Sequence, residues 1–162
     1  MNGIQQGAGE NGASMEPGQV KAKARTRSLT GSWVVTTTVQ GMPPFKSLFT
    51  FTEDGGLVSS TSFIVPFRPP IIRAVFSTSH GAWNSVANGE FSIALVALIH
   101  DEDAEFSGTA EVRGTIEIDE TKDAFFGTVH AADLDPNGRV IFAFEGSIKG
   151  ERIRSAPNHQ GV

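Results

Sequence analysis

Few residues of this chain have the types and the spacing that catalytic chemistry needs. The 162 residues include no cysteine and no tyrosine, which excludes thiolate nucleophiles, Cys-ligated metals and a phenolic acid. The four histidines, His80, His100, His130 and His159, do not have the spacing of metal ligands. Ser79 precedes His80 but has no G-x-S-x-G nucleophile elbow around it. We therefore expect neither a metal nor another cofactor.

The acidic residues do not form a recognisable site either. The run at positions 101–105 lacks the glycine and the spacing of a calcium loop, which predicts a solvated hairpin. Glu111, Arg113 and Glu117 recur at even spacing and predict an outward, salt-bridged strand face. No phosphate-binding glycine loop is present in the sequence. The residues thus give no support to hydrolysis, redox chemistry or phosphoryl transfer.

Length and composition limit the elements that could position a site. A mass of 17.2 kDa is that of one domain, and 18 glycines and 12 phenylalanines favour sheet over helix. The net charge of −5 argues against nucleic acid or an anionic membrane as partner. No apolar run reaches the roughly 20 residues of a membrane helix, and the N-terminus does not resemble a signal peptide. We expect a cytoplasmic protein, monomeric or homodimeric.

The two ends of the chain differ from its centre. Residues 1–28 are rich in Gly, Gln and Ala and have four basic residues against two acidic ones, so they cannot bury enough apolar surface to order themselves. This composition predicts a disordered N-terminal extension, and the alternative is a cap that orders over a cavity when ligand binds. Residues 154–162 are expected to form a second disordered tail, which leaves 29–153 as a single domain.

The central region reads as a series of strands. Short segments with β-branched or alternating residues are separated by turn sequences such as TEDGG and DPNGR. They predict eight strands, at 31–39, 45–51, 57–63, 81–86, 90–100, 106–118, 124–134 and 140–153. Eight antiparallel strands in hairpin order favour an all-β, closed up-and-down barrel, which leaves no free edge. A two-sheet sandwich is the alternative.

The first strand resembles that of a known superfamily. In LTGSW, Gly31 and Trp33 are similar to the G-x-W motif of the calycins, the lipocalins and their relatives. That resemblance implies an eight-stranded barrel in which an Arg near the last strand covers the Trp, and Arg152 stands at that place. The parity of the last strand agrees, because Arg152 shares a face with Ile148 and other apolar residues. Without a cysteine pair or signal peptide, the chain looks more like cytoplasmic bacterial lipocalin-like proteins.

A barrel of this size holds either packed side chains or one small ligand. If Trp33 faces inward, Val35 and Thr37 do as well, and the other strands present mainly aliphatic and aromatic residues. Such a lumen suits an apolar, largely uncharged ligand, unless the side chains fill it completely. The predicted ligand-binding residues are Trp33, Val35, Phe49, Phe51, Phe67, Trp83, Ile93, Leu95, Val112, Ile116, Phe142 and Phe144.

The connection at 64–80 is unusually apolar for a surface loop. We interpret it as a lid over the mouth of the barrel, with Arg68 or Arg73 offering a cation to a ligand carbonyl or carboxylate. The alternative is a segment packed against the outside of the barrel.

Two classes of function remain. The first is an enzyme that folds a flexible, hydrophobic substrate into a reactive conformer and promotes its intramolecular cyclisation, a [4+2]-type reaction. The chain is similar in size and lumen character to the lipocalin-like spirotetronate and spirotetramate cyclases of natural-product pathways, although no catalytic motif carries over. The candidates for polarising a carbonyl are Thr37, His130 and Arg68. The second class is a non-catalytic carrier of an apolar metabolite.

Overall fold

The fold is known from a computed structural model, which describes residues 28–61, 74–87, 89–121 and 123–154. These residues form strands and turns, with no helix among them. Nine strands follow one another along the chain: β1 (Gly31–Val39), β2 (Phe45–Phe51), β3 (Gly56–Thr61), β4 (Val75–Phe76), β5 (Ser79–Ala87), β6 (Glu90–His100), β7 (Phe106–Ile118), β8 (Ala124–Leu134) and β9 (Val140–Arg152).

The strands close into a barrel. Each long strand pairs antiparallel with its sequence neighbours, the last strand β9 pairs with the first strand β1, and β6 pairs with β7. Strand β4 adds to the same wall as β5, because both pair with β6, at Phe76↔Ile99 and at His80↔Val96. The wall therefore has eight strands, which confirms the predicted up-and-down barrel and excludes the two-sheet sandwich.

The predicted strand boundaries hold to within one residue except around β4 and β5, and the predicted end of the third strand, residues 62–63, lies outside the described residues. The sequence predicts a connection over 64–80, but residues 75–76 and 79–80 lie within the barrel wall. These residues join the wall because β6 is long, and the backbone of its C-terminal half pairs with theirs. Ser77, between the two strands, donates its amide to the Leu98 carbonyl over 3.0 Å. The lid prediction for the rest of this connection, including Phe67, Arg68 and Arg73, lies outside the described residues.

Small residues in β7 and β8 let the wall bend. A Cβ atom on Gly114 would lie 2.3 Å from the Thr128 carbonyl oxygen, and one on Gly127 would lie 2.2 Å from the Thr115 oxygen. Both distances are far below a van der Waals contact, so the two strands approach more closely than any side chain would permit. Such close approach of neighbouring strands suits the strong curvature of a small barrel.

Inward-facing side chains from all sides of the barrel form one hydrophobic core. Its largest fully buried members are Trp33, Phe51, Phe91, Phe125, Leu29, Leu57, Ile99, Ile116, Ile118 and Val35. The fully buried aromatic rings, Trp33, Phe51, Phe91 and Phe125, lie at one end of the barrel, where β1 begins and β9 ends. We call this the closed end, and the opposite end, where β2 and β9 begin, the open end.

Candidate functional site

Arg152 seals the closed end. Its guanidinium carbon lies 4.1 Å from the centre of the Trp33 ring, so the predicted contact between the two residues is present. The two terminal nitrogens donate to the carbonyls of Thr30 and Ser28 over 2.7 and 3.1 Å. Burial of the guanidinium lowers the pKa of Arg152 from its usual value. These contacts tie the chain before β1 to the end of β9.

The glycine of the G-x-W motif has a steric role at this seal. Gly31 has a φ of +123°, which L side chains rarely adopt, and a Cβ on it would lie 2.8 Å from Nη1 of Arg152. The indole nitrogen of Trp33 donates to the Leu29 carbonyl over 2.8 Å. Gly31 and Trp33 thus both contribute to the close packing of the closed end.

An aromatic cluster fills the barrel directly behind Arg152. The rings of Trp33 and Phe125 are 5.0 Å apart, and Phe51 meets Phe125 edge-on at 6.2 Å. Trp83 packs at 6.1 Å against Phe51 and at 5.5 Å against Phe91, and its nitrogen donates to a backbone carbonyl. Six of the predicted ligand-binding residues pack in this part of the core and do not line the cavity described next: Trp33, Val35, Phe51, Trp83, Ile93 and Ile116.

The open end contains a cavity. Two adjoining spaces of about 110 Å³ and about 90 Å³ share the six lining residues Phe45, Thr61, Ser79, Val112, Ala131 and Phe144. Five residues predicted from the sequence line this cavity: Thr37, Phe49, Leu95, Val112 and Phe144. Phe142 lies on the same strand face but beyond the cavity at its mouth, 36% exposed, with its ring 5.9 Å from that of Phe144. The side chains that the structure describes therefore do not fill the barrel completely.

The cavity has two chemically different sides. Adjacent strands β1, β2, β3 and β5 present hydroxyl groups, which we call the hydroxyl wall: Thr37, Ser47, Ser59, Thr61 and Ser79. Strands β6 to β9 present the apolar wall: Leu95, Ala97, Ala110, Val112, Val129, Ala131, Phe144 and Ile148. Two aromatic rings, Phe45 and Phe49, lie on the hydroxyl side, and the buried carboxyl group of Asp133 lies in β8 near the mouth.

The structure places His130 outside the cavity. Its side chain is 68% exposed on the outer face of β8, where Nε2 lies 3.9 Å from a carboxylate oxygen of Glu145. The neighbours Val129 and Ala131 point inward instead, because side chains alternate along a strand. His130 therefore cannot contact a molecule inside the barrel. Of the two predicted catalytic residues that the structure describes, Thr37 lines the cavity and His130 does not, and Arg68 lies outside the described residues.

The outer face of β7 is as predicted. Arg113 lies 3.6 Å from the carboxylate of Glu111, and both side chains contact solvent. In the acidic hairpin, the Asp101 carboxylate accepts the amides of Asp103 and Glu105 over 3.0 and 2.9 Å, so it shapes the turn. Within the described ranges, no three His, Asp or Glu side chains come together as a metal site would require.

Sequence reasoning missed much of the hydroxyl wall. Ser47, Ser59, Thr61 and Ser79 were not predicted as site residues, and neither were Phe45 and Asp133. These residues could have been found from the alternation of inward and outward side chains along each strand. Ser47 falls between the inward-facing Phe45 and Phe49, and Ser59 and Thr61 follow the buried Leu57 at even spacing.

Comparison of the chain with models of protein families gives no match, and neither do comparisons with curated proteins or with solved structures. A search of the described residues for a helix that could span a membrane finds none. The closed antiparallel barrel, with Arg152 stacked on Trp33, is consistent with a calycin-like fold.

Proposed function

We propose that this protein binds an apolar small molecule through the open end of its barrel. The observation that carries the proposal is the cavity itself. Its lining residues come from strands all around the continuous, hydrogen-bonded barrel wall. An apolar ligand entering it would leave water and gain about 25 cal/mol for each Å² of apolar surface buried. The rigid wall limits the cost of ordering the site when ligand binds.

The size of the cavity limits what it holds. Apolar cavities of about 150 Å³ admit a benzene ring. The two adjoining spaces of about 110 and 90 Å³ reach that size only together, so they suit one aromatic ring or a short segment of a longer chain. The remainder of a larger ligand would extend through the mouth, past the aromatic rings of Phe45, Phe76 and Phe142. The proposed ligand is thus hydrophobic, and one end of it lies inside the cavity while any remainder lies at the mouth of the barrel.

Filling the cavity tests this proposal. Val112→Trp would place an indole in the cavity, whereas Arg113→Trp would add the same indole to the outside of the same strand. Binding of the uncharged fluorophore N-phenyl-naphthylamine is measured by its emission. We expect Val112→Trp to weaken binding by about 30-fold or more, which corresponds to about 2 kcal/mol, and Arg113→Trp to leave it unchanged.

Two outcomes would reject the proposal. One is equal affinity for the fluorophore in both variants, because the molecule would then bind elsewhere on the protein. The other is absence of binding by folded wild type. Thermal melting checks that each variant is folded, since overpacking a core commonly costs about 1–3 kcal/mol.

A second candidate function is cyclisation of the bound molecule, and the hydroxyl wall favours it. The hydroxyl oxygens of Ser47 and Thr61 are held 2.7 Å apart by their mutual hydrogen bond, and Thr37 lies directly opposite Ile148 of the apolar wall in the pairing of β1 with β9. Fixed hydroxyls in a site shielded from water can polarise a carbonyl as the bent conformer reacts. In a [4+2] closure, two carbon–carbon σ bonds form at the expense of two π bonds, and no atom enters or leaves.

The cyclase proposal has its own test. A linear ketone with a terminal diene and a conjugated alkene is incubated with protein, and the isomeric product is separated by chromatography. If Thr37 polarises the ketone, Thr37→Val should slow closure by about 10- to 1000-fold, while Thr38→Val, on the outer face of the same strand, should not change the rate. Closure at the uncatalysed rate with wild type would reject cyclisation for this substrate class and leave the carrier function standing.

A further inference from the structure

Two buried hydroxyl groups in the cavity have no protein partner among the described residues. Thr37 is 6% exposed and Ser59 is 4% exposed, and neither side chain forms a hydrogen bond with another described residue. A buried hydroxyl without a partner costs about 1–3 kcal/mol. Such groups therefore call for a partner that enters the cavity from outside the protein.

Hydrogen-bonding capacity also remains at the other members of the hydroxyl wall. Ser47 and Thr61 bond to each other, and since each hydroxyl has one proton and two lone pairs, that bond uses only one of the two protons. Ser59 lies directly opposite Ser79 in the pairing of β3 with β5, and Ser47 lies directly opposite Thr61. The hydroxyl groups of β2, β3 and β5 are thus neighbours, and Thr37 of β1, which pairs with Phe45, lies diagonally across from Ser47.

The facing side of the cavity offers no comparable groups. Apart from Asp133 near the mouth, the lining residues of β6 to β9 are aliphatic or aromatic. A molecule between the two walls would meet hydrogen-bonding groups along one edge and hydrocarbon along the other. A uniformly apolar ligand would leave the hydroxyls of Thr37 and Ser59 unsatisfied, whereas one with polar atoms on both edges would lose hydrogen bonds at the apolar wall.

We infer that the ligand is an amphipathic molecule with uncharged carbonyl or hydroxyl oxygens along one edge, and that this edge lies against the hydroxyl wall. Thr37 and Ser59 are then the residues that determine specificity and orientation, because a ligand that displaces water from the cavity leaves their hydroxyls a partner only where one of its oxygens reaches them. This inference rests on the proposed function, since it needs a ligand in the cavity, but it adds the chemical class of that ligand.

Two probes of nearly equal shape test the inference. Acetylnaphthalene and ethylnaphthalene, substituted at the same ring carbon, differ only in the oxygen, and equilibrium dialysis gives the affinity of each. We expect wild type to prefer the ketone by about tenfold, the equivalent of one hydrogen bond. Thr37→Val, Ser59→Ala and their combination should reduce this preference towards unity without weakening the binding of ethylnaphthalene.

Matched controls lie on the outer faces of the same strands. Thr38→Val and Ser60→Ala remove hydroxyl groups that face solvent, so they should leave the preference for the ketone unchanged. An independent readout is the carbonyl stretching frequency of bound acetylnaphthalene. A hydrogen bond lowers this frequency, and the frequency should rise again in the double variant Thr37→Val/Ser59→Ala.

The possible results separate the two proposals. If wild type binds ethylnaphthalene as tightly as acetylnaphthalene, or if the double variant keeps the full preference, the inferred ligand class is wrong while binding in the barrel stands. If folded wild type binds neither probe, the proposed function fails together with the inference. A preference lost in the cavity variants and kept in the controls supports both.

Discussion

The two ends of this barrel have the same backbone architecture but opposite interiors. At the closed end, Trp33, Phe51 and Phe125 meet in a dense aromatic cluster sealed by Arg152. At the open end, the inward positions hold small residues such as Ala97, and a cavity remains. Alternation along the strands fixes which residues face inward, and the size of those side chains then decides whether the interior is packed or open.

This difference separates stability from binding. Burial of large rings at the closed end provides much of the apolar contact that holds the strands together. At the open end, the buried hydroxyl groups of Thr37, Ser47 and Ser59 provide less such contact. The closed end thus supports the fold, and the open end is available for a ligand.

The largest expected effect on stability comes from replacing one phenylalanine at each end of the barrel. Phe125→Ala should destabilise the protein by about 3–5 kcal/mol, because a fully buried ring leaves a cavity behind. Phe144→Ala should cost about 1–2 kcal/mol less than that, since the Phe144 ring is half-buried and already borders open space. Urea denaturation measures both. Equal losses would contradict the distinction between the two ends.

Removal of Arg152, which seals the closed end, should have the next largest effect on the free energy of unfolding. Arg152→Ala removes the stack on Trp33 and two hydrogen bonds to carbonyls, and it should cost about 1–3 kcal/mol. Arg154→Ala is the control, because Arg154 forms an exposed ion pair with Asp123 and such pairs contribute about 0–1 kcal/mol. If the two variants melt at the same temperature, Arg152 does not stabilise the closed end as described.

The smallest effect is expected at His130. His130→Ala should leave both the free energy of unfolding and the affinity for N-phenyl-naphthylamine unchanged, within about 0.5 kcal/mol, because the imidazole is on the solvent side of β8. Denaturation and fluorescence titration measure the two quantities. A clear loss of affinity would return His130 to the ligand site and require a path between the outer face and the cavity.

Much of the fold could be predicted from the sequence because its signals are local. Turn sequences mark the ends of the strands, and the alternation in β7 predicts its inward face correctly at Ile116 and Ile118. The contact between Arg152 and Trp33 also followed from parity and from the G-x-W resemblance. The pairing of β4 with β6 could not be predicted, since a two-residue strand has no periodicity of its own.

The site was less accessible to sequence reasoning. Strand β8 has apolar residues on both faces, with Phe125 fully buried and Phe126 53% exposed, so its sequence does not show which side His130 occupies. Trp33 and Trp83 are inward or partly inward, as expected of ligand-binding residues, yet they pack in the core. Position along the barrel axis separates core from cavity, and that position follows from the pairing of distant strands.

The sequence by itself determined that this chain forms antiparallel strands in hairpin order, because alternation and turn propensity act over a few residues. It also determined the residue types, apolar with scattered hydroxyl groups, from which a lumen could form. Only the tertiary structure decided that five hydroxyls share one wall and face an apolar one. The reason is that strand register and closure, set by contacts between residues far apart in the chain, fix which inward side chains become neighbours.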